Sequence, residues 1–481
     1  MAGAISREIV RRGWPVGAIL GTEPELMVRF DVSRATFREA VRQLERLGVA
    51  RMRRGVGGGL VVARPARDAA VGALASYLEL TNVGLAEILE TRAVIEVAAV
   101  GIAAERISDA AIIELRALAA RHLDQAVAGR ADDPAADWAI RLAIAEASGN
   151  PAIALFIAAL YHLHGRVIRV GDPNADIDAG AERLARPKLR LIEAIVGGDM
   201  GLAQQAIREE FAASYDFIER YYGRYQASAD RDHLAMAAEM APAGPALQGH
   251  GQTDSAKLGQ QVVTAIRDDI VRLGWPIGCN LGSEPQLLEK YGVSRAVFRE
   301  AVRTLELHSI VRMRRGQGGG LIVERPDPAY TIALTHSYLD LMKFEQAHLM
   351  ELRQAVELAA VQYAAQRATA RERDELRRAL AEEMVASGDA VFDVSVRIHQ
   401  LIAEFSHNRA LALFVKVLSL MTSRLAEVEM DYGELVRRIR NSHEVLVGAI
   451  VDQDSGMARR RMTEHLSMVR GFFRQGTGAA A

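Results

Sequence analysis

Two long stretches, from about residue 70 to 225 and from about 330 to 475, carry apolar residues at helical spacing with few strand signals. Each predicts a bundle of helices. The sixty or so residues before each stretch follow a different pattern. After Ser33, the residues Phe37, Val41 and Leu44 fall on one side of a helix, and Arg34, Arg38 and Arg42 repeat at every fourth position along another. Val49-Ala-Arg-Met-Arg-Arg54 then reads as a basic strand, Gly55-Val-Gly-Gly-Gly59 as a tip, and Leu60-Val-Val62 as an apolar strand. Upstream, Thr22-Glu-Pro-Glu25 has the form of a capping box with proline in the first turn, which starts a short helix. A turn at Phe30–Val32 separates it from the helix that Ser33 caps.

The pattern then recurs. Trp14–Pro65 and Trp275–Pro326 align without a gap at an offset of 261, with about 32 of 52 positions identical. Such identity marks a duplicated unit. The likeness continues more weakly, with Arg92 and Glu96 opposite Arg353 and Glu357, and with IAEASGN ending at Asn150 opposite IAEFSHN ending at Asn408. Gln226 to Lys257 has linker composition. The organisation expected is a head at 1–66, a helical domain at 70–225, a linker at 226–257, a second head at 258–327 and a second helical domain at 330–475. The fold class is mainly α: two winged helix-turn-helix domains with a small β wing each, and two all-helical bundles.

Composition narrows this further. With 59 basic and 61 acidic residues the net charge is −2, so any nucleic-acid surface must come from local clustering. Cys279 is the only cysteine, which rules out a disulfide within the chain and fits a reducing compartment. No apolar run approaches the roughly 18 residues of a membrane span. Met1 to Arg12 has no apolar core of the signal-peptide kind, so a cytoplasmic location is expected.

Two short helices in tandem, the second with an arginine stripe, read as a helix-turn-helix whose second helix enters the major groove. The glycine tip lets the wing approach a sugar-phosphate surface, with Arg53 and Arg54 ready to neutralise phosphates. A nucleotide-binding loop fits less well, because no Gly-Lys-Ser/Thr follows the glycines. Arginines on a helix are more often a solvated face. Here stripe and wing coincide, and both are duplicated.

These residues resemble the GntR family of bacterial regulators, whose hallmark is VSR-x-x-x-REA-x-x-x-LE followed by a glycine-tipped wing. Val32-Ser-Arg-Ala-Thr-Phe-Arg-Glu-Ala40 and Val293-Ser-Arg-Ala-Val-Phe-Arg-Glu-Ala301 both fit. The resemblance implies DNA contacts at Ser33, Arg34, Thr36, Arg38, Arg54, Gly55 and Gly57, with Arg42 and Arg53 added by the stripe and wing. In the second head it implies Ser294, Arg295, Arg299, Arg315, Gly316 and Gly318, with Arg303 and Arg314 added. Two departures stand out. Pro24 and Pro285 occupy a place where the family usually has arginine, and Val297 replaces the hydroxyl of Thr36.

The helical regions resemble the FCD effector domain of the FadR-type branch. That implies six or seven helices around a pocket, which in many members holds a divalent metal on one Asp and three His. His399, His443 and His465 fit the histidine positions, and Ser395 stands at the Asp position. One ion of the Zn or Ni type is therefore expected in the second domain. The matching residues of the first domain are Asp137, Arg141, Lys188 and Glu210, which form either a self-compensating charge cluster or the drifted remains of an unused pocket. No metal is expected there. Arg92 and Arg353 either bind an effector carboxylate or pair with Glu96 and Glu357 one turn on.

The expected function is binding of a double-stranded DNA operator under control of a small-molecule effector, a carboxylate metabolite, with no enzymatic step and no membrane. The two heads of one chain would act as a covalent pseudo-dimer, with a further homodimer of chains left open. A winged helix fused to an aminotransferase-like enzyme would need one long α/β domain after the head, whereas a second head arrives near residue 258. Vestigial heads on an interaction protein would not retain the arginines and wing glycines twice.

Overall fold

The computed structural model describes residues 1–55, 57–127, 134–168, 177–222, 255–314, 316, 319–325, 327–387, 390–425 and 432–478. The first repeat runs α1 (Ala2–Arg11), α2 (Glu23–Phe30), α3 (Arg34–Arg46), β1 (Ala50–Arg53), β2 (Gly59–Val62), α4 (Arg67–Leu80), α5 (Leu85–Arg106), α6 (Asp109–Val127), α7 (Pro134–Ala147), α8 (Pro151–Ile168), α9 (Ile177–Val196) and α10 (Met200–Tyr222). The second runs α11 (Ser255–Arg272), α12 (Glu284–Tyr291), α13 (Arg295–Leu307), β3 (Val311–Arg314), β4 (Gly320–Val323), α14 (Pro328–Leu341), α15 (Gln346–Arg367), α16 (Ala370–Val385), α17 (Ala390–Glu404), α18 (Arg409–Leu425), α19 (Tyr432–Val451) and α20 (Ser455–Gly478). Two compact units result. One gathers Met1–Asn82 with the segment ending at Phe344, and the other gathers the segments beginning at Val83 and Glu345. The linker assigned to 226–257 lies outside the described residues as far as 254.

In the first unit each head is built as its sequence dictates. The Glu25 carboxylate accepts from the Thr22 backbone N–H at 2.8 Å, and Gln286 accepts from Ser283 at 2.9 Å, which closes both capping boxes. Ser33 and Ser294 accept from the N–H three residues on, as N-caps do. Ile5, Ile9, Trp14, Leu26, Phe37, Leu44 and Leu60 fill the core of the first head. The wing is an antiparallel pair with Ala50 opposite Val62 and Arg53 opposite Gly59, repeated as Val311 opposite Val323 and Arg314 opposite Gly320. Glycine is required where the second strand begins: a Cβ on Gly59 would stand 2.6 Å from the Gly21 carbonyl oxygen, and one on Gly320 2.6 Å from that of Gly282. At the tip, Gly55 and Gly316 hold φ near +97° and +100°.

The second unit holds the two helical bundles. Val100, Ile144, Leu191, Ile195 and Ile207 centre one core, and Val361, Ile398, Ile402, Ile450 and Met462 the other. The bundles meet along α5 and α15, through contacts made once in each direction. Asn150 donates its amide to the His348 carbonyl at 2.8 Å and to Glu351 at 3.1 Å. Asn408, its counterpart, donates to the Glu87 carbonyl and to Glu90, both at 3.0 Å. Arg106 pairs with Glu351, and its counterpart Arg367 pairs with Glu90 at 2.6 Å.

Candidate DNA interface and metal centre

On the first head, Ser33, Arg34, Thr36, Arg38 and Arg42 are all exposed, so one face of α3 is open to a ligand while Phe37, Val41 and Leu44 are buried beneath it. On the second, Ser294, Arg295, Arg299 and Arg303 are exposed likewise. Several of these cations rest on carboxylates: Arg34 on Glu23 at 2.7 Å, Arg299 on Glu284 at 3.1 Å, and Arg42 on Glu39. Exposed pairs of this kind hold weakly and open readily toward a phosphate. In the wing, Arg53 donates to the Gly57 carbonyl at 2.7 Å, bracing the turn, and Arg54, Gly55, Gly57, Arg314 and Gly316 are exposed. Arg315 and Gly318 lie outside the described residues. Thr36 is exposed whereas Val297, its counterpart, is buried at 6%. The difference foreseen at this position is thus one of exposure as well as chemistry.

In the second helical domain three histidines converge from three helices: His399 on α17, His443 on α19 and His465 on α20. All three are buried, and one ring nitrogen of each lies within 4.8 Å of the others. Their remaining nitrogens are engaged. His399 Nδ1 meets Glu357, His443 Nδ1 meets both oxygens of Glu383 at 2.9 Å, and His465 Nδ1 meets Ser442 at 3.1 Å. Burial would raise both carboxyls, but Arg353 and His399 hold Glu357 down at about 2, and His443 holds Glu383 below the usual range. Both are therefore ionised near neutral pH, and each accepts the Nδ1 proton. That fixes the tautomer, so the Nε2 atoms carry lone pairs.

His399 Nε2 and His443 Nε2 stand 3.3 Å apart. Two lone pairs at that distance repel unless a cation lies between them. Two ligands held about 2.0–2.1 Å from a tetrahedral ion stand roughly 3.3 Å from each other, so this pair is spaced as two ligands of one ion would be, with His465 within 4.8 Å of both. Burial lowers the basicity of His399 and His465, and in His399 it outweighs the opposing pull of Glu357. That favours the neutral, metal-binding form of these two imidazoles.

The Ser395 hydroxyl donates to Glu383, the carboxylate behind His443. Arg353 is buried against Glu357 and donates to Thr422 at 3.2 Å, and Arg92 meets Glu96 at 2.8 Å. Of the two readings offered for these arginines, the i, i+4 pair is formed in both domains. Glu383 was invisible in the sequence: it is one acid among several on a charged helix, and nothing in the spacing separates it from its solvated neighbours.

The first domain has turned the same place into a charge cluster. Arg141 sits among Glu96, Asp137 and Glu210, and Lys188 pairs with Asp137 and approaches Glu210 at 3.9 Å. Asp137 is held far below the carboxylate range: burial opposes this, but Arg141 and Lys188 prevail. Of the alternatives open from the sequence, the compensating cluster is the one built. Here Arg141 takes the place of His399, and buried His122 stands at the position of Glu383.

The sequence model of the bacterial regulatory proteins of the gntR family matches residues 1–59 and again 258–320. The FCD domain model matches 87–213 and 348–468, together over half the chain. The Uxu operon regulator of Haemophilus influenzae is 28% identical over 216 residues, covering 43% of this chain and 77% of that protein. The putative L-lactate dehydrogenase operon regulatory protein of Escherichia coli is 28% identical over 220 residues, 44% of this chain and 85% of that protein. The HTH-type transcriptional regulator LutR of Bacillus subtilis is 28% identical over 200 residues, 40% of this chain and 90% of that protein. Each relative is thus about the size of one repeat.

Proposed function

The chain belongs to the GntR family of bacterial regulatory proteins and carries the head and the FCD domain of that family twice, and on this premise we propose that one chain does the work of two subunits. It is a DNA-binding transcriptional regulator and not an enzyme. In the proposed reading, heads 1–66 and 258–327 bind two half-sites of one operator, and helical domains 70–225 and 330–475 pair as a covalent pseudo-dimer. Ser33, Arg34, Thr36, Arg38 and Arg42 face one half-site, and Ser294, Arg295, Arg299 and Arg303 the other. Arg53, Arg54, Arg314 and Arg315 contact phosphates, with Gly55, Gly57, Gly316 and Gly318 letting the wings come close. The observation that supports this best is the set of contacts made in both directions between the helical domains, Asn150 to His348 and Asn408 to Glu87.

The effector response belongs to the second helical domain. His399, His443 and His465 would hold one divalent ion of the Zn or Ni type, which supplies a Lewis-acidic position for an oxygen of a carboxylate effector. Glu357 and Glu383 orient two of the imidazoles, and Arg353 brings a positive charge beside them. One relative is named for an L-lactate dehydrogenase operon, and lactate is a small hydroxy acid of the class such a site suits. The effector changes operator affinity to the extent that it binds one arrangement of the chain more tightly than another. Among the described residues no helix is long and apolar enough to cross a membrane, and we place the protein in the cytoplasm on the nucleoid.

Selection of genomic fragments on the purified protein at several salt concentrations tests the reading. Enrichment of one short sequence, with affinity falling steeply as salt rises, is expected. Retention of all fragments alike, or of none, would contradict it.

A further inference from the structure

In the first unit α4 and α14 pack against each other, and each also touches the other head, α4 through Glu79 and Gly72 and α14 through Tyr330. Three contacts at this crossing join residues whose counterparts in the other repeat are of a different kind. Glu79 of α4 forms a buried pair with Arg267 of α11 at 2.7 Å, with side chains 0% and 4% exposed. Arg267 and Glu79 correspond to Ser6 and Asp340 in the other repeat, which cannot form that pair. Gly72 of α4 lies under the ring of His308 at the end of α13, so close that a Cβ there would stand 2.6 Å from Cε1. Their counterparts are Ala333 and Leu47. Tyr330 of α14 covers the Arg46 guanidinium at 4.1 Å from ring centre and donates its hydroxyl to the Arg46 carbonyl at 3.2 Å. Their counterparts are Ala69 and Leu307.

We propose that the two heads recognise each other as unlike partners: the α4–α14 crossing accepts the other half of the chain and rejects a second copy of the same half. A first head paired with itself would set the Glu79 carboxylate against Ser6, burying a charge without its cation, and would set Ala69 where Tyr330 stacks on Arg46. A second head paired with itself would press His308 against the methyl of Ala333, so that the ring would have to leave the place it holds over Gly72. Each half therefore contains both an attraction to its complement and an obstacle to itself, which is how discrimination between similar partners is built. The consequence is a regulator whose two unlike heads stay together on DNA and do not sort into symmetric pairs.

The inference rests on the one-chain reading above, and charge exchange separates the two. Glu79→Arg and Arg267→Glu are made singly and together in the full chain, and thermal unfolding and sedimented mass are followed. Each single change should lower the melting temperature by burying like charges, and the double change should recover most of the loss. An equimolar mixture of the two single variants should form a two-chain species that neither forms alone, because each head then finds its complement in the other chain. Losses that simply add in the double variant, or folded single variants that never complement, would overturn the proposal. If the single variants do not fold, Gly72→Ala with and without His308→Leu decides it: leucine should relieve the cost of the methyl, and additive losses would again overturn it. A wild-type chain that sediments only as a two-chain species would refute the one-chain reading, leaving unlike pairing to be decided by the same coupling.

Discussion

Phe156 stacks on Phe414 with ring centroids 4.0 Å apart and planes 11° from parallel, and the two residues occupy the same position of the two repeats. A residue that meets its own counterpart lies on a local two-fold relation between the helical domains. Both rings are fully buried. Phe414→Ala removes that contact and leaves a void, so the expected loss is about 3–5 kcal/mol of stability. Calorimetry of the full chain checks this. A loss below about 1 kcal/mol would mean that the stack does not hold the domains together.

Base readout is expected from the exposed arginines at the start of α3 and α13. Arg34→Ala and Arg295→Ala should each cost on the order of 1–3 kcal/mol of specific binding. Arg54→Ala in the wing should weaken binding to all sequences alike and flatten the salt dependence. Competition titrations against unrelated duplex distinguish the two kinds of loss.

Metal content is expected to be asymmetric, about one divalent ion per chain. His443→Ala should abolish tight binding, whereas Lys188→Ala or Glu210→Ala should leave the metal content unchanged. Excess metal should stabilise the wild type, by about 2.7 kcal/mol at a free concentration 100 times the Kd, and should not stabilise His443→Ala. Elemental analysis of desalted protein would refute the site if it found two ions, or one that survives the loss of His443.

Acid should act on the same histidines. Burial lowers the folded pKa of His399 and His465 below the unfolded value of about 6.5, so the unfolded chain binds more protons than the folded one just below that pH. The stability present above about pH 6.5 is then lost progressively as the pH falls toward the depressed folded values. Bound metal should leave over the same range, because proton and metal compete for the same nitrogens. Stability of the metal-free chain that stayed flat between pH 7 and 5 would contradict buried neutral imidazoles.

The heads were legible almost residue by residue, because caps, glycines and an amphipathic helix act through neighbours in sequence. Thr22, Ser33, Gly55 and the stripe from Arg34 to Arg42 needed no distant partner to be read. The three histidines could be placed by resemblance, but their supports could not. Glu383 reaches His443 across sixty residues, and only the packing of α16 on α19 selects it from the acids around it. Asn150 and Asn408 are legible as matching positions of the two repeats, but their bonds to the opposite domain arise only from the packing of the two bundles. Ser395 is placed by the same resemblance, but its bond to Glu383, which lies on another helix, is not.

Mass measurement of the protein on a single operator duplex, by native mass spectrometry or sedimentation, bears most directly on the claim that one chain is a complete regulator. One chain per duplex, with a footprint over two half-sites about one helical turn apart, is the expected result. A minimal complex of two chains per duplex would contradict it and would point to a four-headed assembly.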